Sequence, residues 1–505
     1  MSPPPDQQFA PAATIQSSGS TNRCFAPYGW RPWASLHQDL VEQIGWRVLA
    51  GDLLDYVRMR AVCAHWSSST VRPRGRGLVD ARFHPRRWMM LPEGHGLYPG
   101  HPGLGGYVRF FNLSTSALLV RVHLPLIADH AVLDSPDGLL LLRRDHDAAI
   151  RLLHPFTGDL AELPSLTSLL PQMADDPYQR ALREDTLCGE PRAFLDEVCA
   201  AVTVDAAGAI TVMIVIYSFY CLAHATAGDQ RWTLSAWKLP PRSRTVSFRG
   251  KLYGALMWIT NTKLIIWQAD PPQTDAEGLR TLPWPQKMTI ECPLAGPIGI
   301  VNLVECGSEL MVVGFTDTSF AHLVVYRFTD LISGRVIPVT SIGENVILVN
   351  DRALCLSPDN TGLPPFVPGN SIIRMHVARN DMRRRHNRVG RYHLGTRSWS
   401  PAIDGDILRR DQPRPSPIML IHHIYTCCVR HCWNKGLLFY GGVTPNWSVK
   451  PNLRIEIVLG RATVYPSTAD SDHPRSDHLS HHPAQVVHSV SRQHMPGVRA
   501  SSVNE

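Results

Sequence analysis

Between positions 422 and 432 the chain gathers His422, His423, Cys427, Cys428, His431 and Cys432. Such side chains bind zinc when two ligand pairs converge on a tetrahedron. The spacing does not allow it. No second pair stands at loop distance, and adjacent Cys-Cys or His-His residues face apart on a strand, so no metal is expected. The histidines farther on, His473, His478, His481 and His482, belong to a Ser/His/Pro-rich tail and need no function. "GHPGLGGY" at 100–107 is glycine-rich, yet it neither follows a strand nor opens a helix, and no P-loop lysine is present. It reads as a turn. Neither a Gly-x-Ser-x-Gly nor a His-Glu-x-x-His pattern occurs. With no catalytic set and no cofactor site proposed by its residues, the chain is expected not to be an enzyme.

If chemistry does not organise the sequence, folding must. The 505 residues exceed one ordinary domain, and 44% apolar against 18% charged content allows a large core. A net charge of +7 comes from dispersed Lys and Arg, which does not make a nucleic-acid footprint. The exception, Arg383 to Arg388, reads as a solvated loop. Eleven irregular cysteines without a Cys-x-x-Cys pair, behind a start ("MSPPPDQQFAPAAT") lacking an apolar h-region, point to free thiols in a reducing compartment. A soluble protein of the cytoplasm, the nucleus or both is expected. The uncharged stretch 206–228, "AAGAITVMIVIYSFYCLAHATAG", is long enough to span a bilayer. Its β-branched richness and the turn at Asp205–Gly208 favour two buried strands instead, so no membrane partner is expected.

From 80 to 405 apolar runs follow one another, each introduced by a glycine turn: "SPDGLLLLRR", "DAAGAITVMIVIY", "FRGKLYGALMWI", "ECGSELMVVGF" and "IGENVILVND". Strands recurring at short spacing argue for an all-β domain. At about 40–50 residues per blade the segment suits a six- or seven-bladed β-propeller. Short helices are allowed within 165–200. Residues 1–28 read as disordered, 406–458 as a C-terminal extension and 459–505 as a disordered tail.

The segment 30–72 is different. Ser35-Leu36-His37-Gln38 has capping-box form, predicting a helix from Leu36 that carries Leu36, Leu40, Ile44 and Val48 as one stripe. Gly45 weakens this helix and Gly51 can end it. Asp52 can cap a second helix bearing Leu53, Tyr56 and Val57, and Val62, Cys63 and Trp66 fall on a third. Three helices this short cannot shield so many apolar groups alone.

The order Leu36, Leu40, Ile44, Asp52-Leu53, Val62-Cys63 and Trp66 resembles the F-box, the helical motif that docks onto the Skp adaptor of SCF ubiquitin ligases. Trp33-Ala34 stands where many F-boxes have Leu-Pro, and Ser67 where Arg is usual. The downstream series is similar to a large plant family, including grass members, that joins an F-box to a KIB-type β-propeller. It runs His154-Pro155-Phe156-Thr157-Gly158, Leu163-Pro164, Gly228 to Trp232, Phe248 to Tyr253, Leu303 to Glu305, Ser341 to Gly343 and Gly369 to Ile372. "HHIYTCCVRHCWNKG" resembles the tail of some grass members. The resemblance implies a three-helix F-box followed by a propeller, working as the substrate-recognition subunit of an SCF ligase. Leu36, Leu40, Ile44, Leu53, Val62, Cys63 and Trp66 would meet the Skp adaptor, a cullin would join through it, and the propeller would hold a target protein. The alternative is a propeller scaffold or kinase-binding inhibitor whose F-box no longer docks.

Overall fold

The computed structural model describes residues 33–91, 99–114, 119–173, 198–240, 243–258, 263–294 (save 275, 277 and 279), 301–316, 321–350, 352–357, 369–378, 386–402, 427–428, 453–458 and 461–466. A helical head precedes six blades. Blade 1 holds β1 (Trp88–Met90), β2 (Tyr107–Asn112) and β3 (Leu119–His123); blade 2 holds β4 (His130–Asp134), β5 (Leu140–Arg144), β6 (Ile150–Leu153) and β7 (Leu160–Leu163). In blade 3 lie β8 (Val198–Val204), β9 (Ile210–Ile216), β10 (Cys221–Thr226) and β11 (Thr233–Lys238). Blade 4 consists of β12 (Arg244–Phe248), β13 (Lys251–Trp258), β14 (Lys263–Ala269) and β17 (Gln286–Glu291), with a side ribbon of β15 (Gln273–Thr274) and β16 (Arg280–Thr281).

Blade 5 has β18 (Asn302–Cys306), β19 (Glu309–Phe315) and β20 (Leu323–Arg327); a short helix, Phe328–Ile332, follows it. Blade 6 has β21 (Val346–Val349), β22 (Ala353–Leu356), β23 (Ser371–Ala378), β24 (His386–His393) and β25 (Ser398–Pro401). In it β22 turns back to the inside of β21, leaving β21 parallel to β23. Finally β26 (Leu453–Val458) pairs parallel with β3 and antiparallel with β27 (Arg461–Pro466), so chain segments far apart in sequence share blade 1. The boundary drawn at 458 therefore falls inside a hairpin. Its alternating Leu453, Ile455 and Ile457 are a strand signal that the polar composition beyond obscures.

Each of the five glycine turns read from sequence precedes a strand: β5, β9, β13, β19 and β21. Two of them show why. Arg249 and Gly250 both have positive φ (51° and 75°), the geometry of a two-residue hairpin whose twist matches its strands. A Cβ on Gly138 (φ 79°) would stand 2.0 Å from the Pro85 carbonyl oxygen, so only glycine fits.

Burial follows position in the blade. Every residue of β9 and β10 is buried, because the faces of blade 3 pack against blades 2 and 4. The outer strand β7 alternates exposed and buried instead. The membrane-length stretch is thus an antiparallel pair inside blade 3. Among the described residues, no helix is long and apolar enough to cross a membrane. Where 165–200 is described, it forms 3-10 turns at Leu166–Leu169 and Pro171–Met173 and, from Val198, the start of β8.

Candidate functional site

The head comprises a 3-10 turn (Trp33–Ser35), α1 (Gln38–Gly51), α2 (Leu53–Arg60) and α3 (Ala64–Ser68). Asp52 is its hinge pin. One carboxylate oxygen accepts from the Leu54 and Asp55 amides, capping α2 as its type predicts. The other accepts from Trp88 Nε1 (2.9 Å) and Asn112 Nδ2 (3.0 Å), fastening the head to blade 1. Burial raises the Asp52 pKa against the pull of these donors. Leu49, Leu53, Leu54 and Tyr56 join one core with Phe83, Trp88, Met90 and Phe110.

Helix α1 begins later than predicted. Leu36 N bonds back to Trp33 O, closing a tight turn, and the N-cap is His37, so the Ser35 capping box does not form. The stripe that faces inward is the neighbour of the one read as adaptor-binding. Val41, Gly45 and Leu49 are buried, each one residue on from the Leu40, Ile44 and Val48 series and so rotated by about 100° around the helix. Gly45 has a packing reason, since its Cβ would meet Thr70 Cγ2 at 3.0 Å and the Tyr56 ring at 3.3 Å.

The other stripe stays open. Leu40 is 49% exposed and Val62 63%, while Leu36, Ile44, Cys63 and Trp66 are half-buried. Leu53 is only 5% exposed and belongs to the internal core, so it is unavailable to another chain; among the residues read as adaptor-binding it is corrected to a structural one. Val62 and Cys63 precede α3 rather than lying on it, and Cys63 Sγ accepts from Trp66 N at its start. Trp33, noted in the sequence only as a departure from the F-box pattern, is 71% exposed, and its carbonyl accepts from Trp66 Nε1 at 3.1 Å. His65 Nε2 contacts Leu36 O at 2.8 Å, so the entry to α1 is held against α3.

A second feature is the propeller's channel, a cavity of about 1000 Å³ lined by the inner strands β1, β4, β8, β12, β18 and β22, with Trp46 to Leu53 of the head along one side. Asp134 forms an ion pair with Arg352 and accepts from Ala200 N at 2.7 Å, tying blades 2, 3 and 6. Asp137 lies 3.6 Å from Arg86. Glu305 lines the channel and is flanked by protein; burial, then the Asp137 charge, push its pKa up to about 7, against Arg86 and Arg249. These groups come from positions far apart in sequence. The only local clue was a charged residue at or beside an inner-strand turn glycine: Asp137-Gly138, Arg249-Gly250, Glu305 before Gly307.

The ordered motifs of the β region prove to be joints. Trp232, fully buried, donates from Nε1 to Pro164 O at 2.7 Å, joining blade 3 to blade 2. His154 Nε2 contacts Phe83 O at 2.9 Å, and burial lowers its pKa to about 4, keeping the ring neutral. Asn370 Oδ1 accepts from Ile342 N at 2.9 Å, joining two more of the motifs. Of the Cys/His crowd, Cys427 and Cys428 are buried where blades 1 and 6 meet, near Met90 O and Leu348 O. His422, His423, His431 and Cys432 lie outside the described residues, as do the tail histidines and Arg383 to Arg385. Among the described residues no group of three potential metal ligands occurs.

A family model described as the KIB1-4 beta-propeller matches residues 110–393, more than half of the chain. The chain belongs to the KIB1-4 β-propeller family. Within that family fold the match runs from β2 through β24, so the Trp232–Pro164 and Asn370–Ile342 joints are inside it, while the head and Phe83, the partner of His154, are not. No curated protein matches. Among solved structures, Drosophila Plexin A in complex with Semaphorin 1b is 9% identical, over 52% of this chain and 72% of that one, with a TM-score of 0.19, too low to carry any argument.

Proposed function

We propose that this KIB1-4 propeller is the substrate-recognition subunit of an SCF-type ubiquitin ligase, with its head binding a Skp adaptor. The observation that carries the reading is the division of α1. One apolar stripe packs against α2, Thr70 and the blade 1 core, while Leu40 and Ile44, with Leu36 in the turn before the helix and Trp33, Val62 and Trp66, stay at least partly open on the same small head. Exposed apolar groups concentrated on one element mark an interaction surface. The order of those residues resembles an F-box, which supports the choice of partner.

The head's seat on blade 1 gives the mechanism a rigid arm. A cullin bound through the adaptor brings a charged conjugating enzyme near whatever protein the propeller holds, raising effective concentration with no chemistry in this chain. The target protein is met by the propeller. Titration of the purified full chain with recombinant Skp adaptor tests the reading. Saturable binding to the native chain, lost in Leu40→Asp with the melting temperature retained, is expected. A folded chain with no affinity for the adaptor overturns it and leaves a propeller scaffold or kinase-binding inhibitor.

A further inference from the structure

Cys306 and Cys355 both carry free thiols, and the two touch. Cys306 ends the inner strand of blade 5, Cys355 lies on the inner strand of blade 6, and Cys355 Sγ donates to Cys306 Sγ at 2.9 Å. That is well inside the usual contact distance of unlinked sulfurs and less than 1 Å from a disulfide bond of about 2.05 Å. Cys306 is buried between the channel-lining residues Glu305 and Gly307, and Cys355 is half-buried and lines the channel itself. We propose that Cys306 and Cys355 form an oxidation site, a dithiol that a peroxide entering the channel converts to a disulfide clamp between blades 5 and 6.

The two sulfurs are not equivalent. The S–H donated by Cys355 stabilises a thiolate on Cys306 and lowers its pKa, while the same bond and burial hold Cys355 protonated. The Cys306 thiolate attacks a peroxide oxygen; the O–O bond breaks, hydroxide leaves, and sulfur becomes a sulfenic acid. Cys355 then gives its proton to hydroxide and attacks that sulfur, so an S–S bond forms as the S–O bond breaks, and the departing hydroxide takes up the proton that Cys306 lost on ionising. Two thiols and one hydrogen peroxide give a disulfide and two waters. Cys199 and Cys292 lack this arrangement. Cys199 also lines the channel, but its Sγ donates to Thr245 O, and burial raises the Cys292 pKa to about 11.

The test treats the native full chain with hydrogen peroxide, alkylates it after denaturation and maps the peptides by mass. Expected is a Cys306–Cys355 cross-link with loss of two hydrogens, reversed by dithiothreitol, with Cys199 and Cys292 alkylated as in untreated protein. In Cys355→Ser, a dimedone adduct on Cys306 should replace the cross-link. Full alkylation of both residues after peroxide overturns the proposal. So does a cross-link that appears only when the chain is denatured first, or over-oxidation of Cys306 beside a free Cys355. None of these readouts involves the head or an adaptor.

Discussion

Helix α1 carries two apolar stripes one residue apart, and they meet different fates. Val41, Gly45 and Leu49 are closed off by α2 and by the segment around Thr70 and the blade 1 core; Leu40 is 49% exposed and Ile44 half-buried. A single short helix thus satisfies its own fold with one side and keeps the neighbouring side available. Apolar content by itself does not mark a docking face; what remains after internal packing does. The head is therefore half a cap on the propeller and half a free surface.

The comparison breaks most readily on its buried side. Leu53→Asp places an unpaired charge in the core shared with Trp88 and Phe110, and should cost about 4 kcal/mol or prevent folding, read by urea unfolding. Trp232→Ala, far from the head but equally buried, should cost about 3–5 kcal/mol. If Trp232→Ala left adaptor affinity unchanged per folded molecule, head and joints would be shown to act separately.

A pH titration sharpens the same side. His154 has a folded pKa near 4 against an unfolded value near 6.5, so the unfolded chain binds more protons between those values. Its neutral burial is cost-free above the unfolded pKa, and stability falls as pH drops from about 6.5 toward 4, by about 3 kcal/mol in all. Unfolding free energies measured between pH 7 and 4 should show this slope, and His154→Gln should flatten it. The smallest effect belongs to the open side. Leu40→Ala should change stability by less than about 1 kcal/mol in urea while weakening adaptor binding at least tenfold.

The glycine turns and the Asp52 cap were legible because they depend on local rules, positive φ and unsatisfied amides. The inward stripe of α1 was not told apart from the one read as adaptor-binding, since Leu40 and Val41 are both apolar and only the position of α2 and blade 1 selects between them. Six blades could not be separated from seven because their strands do not repeat evenly. Blade 5 has three, blade 6 has an inner strand that doubles back, and blade 4 carries a ribbon. Blade 1 is completed by residues hundreds of positions away, a pairing that no local pattern announces. Glu305 was invisible for the same reason, because its neighbours Asp137, Arg86 and Arg249 converge only in the folded ring.

Hydrogen–deuterium exchange of the full chain, with and without recombinant Skp adaptor, measures the open surface directly. New protection confined to 33–44 and 62–66, with the amides of 49–56 equally protected in both states, is the predicted result. Adaptor binding that leaves 33–44 unchanged and protects the channel mouth instead would contradict the account.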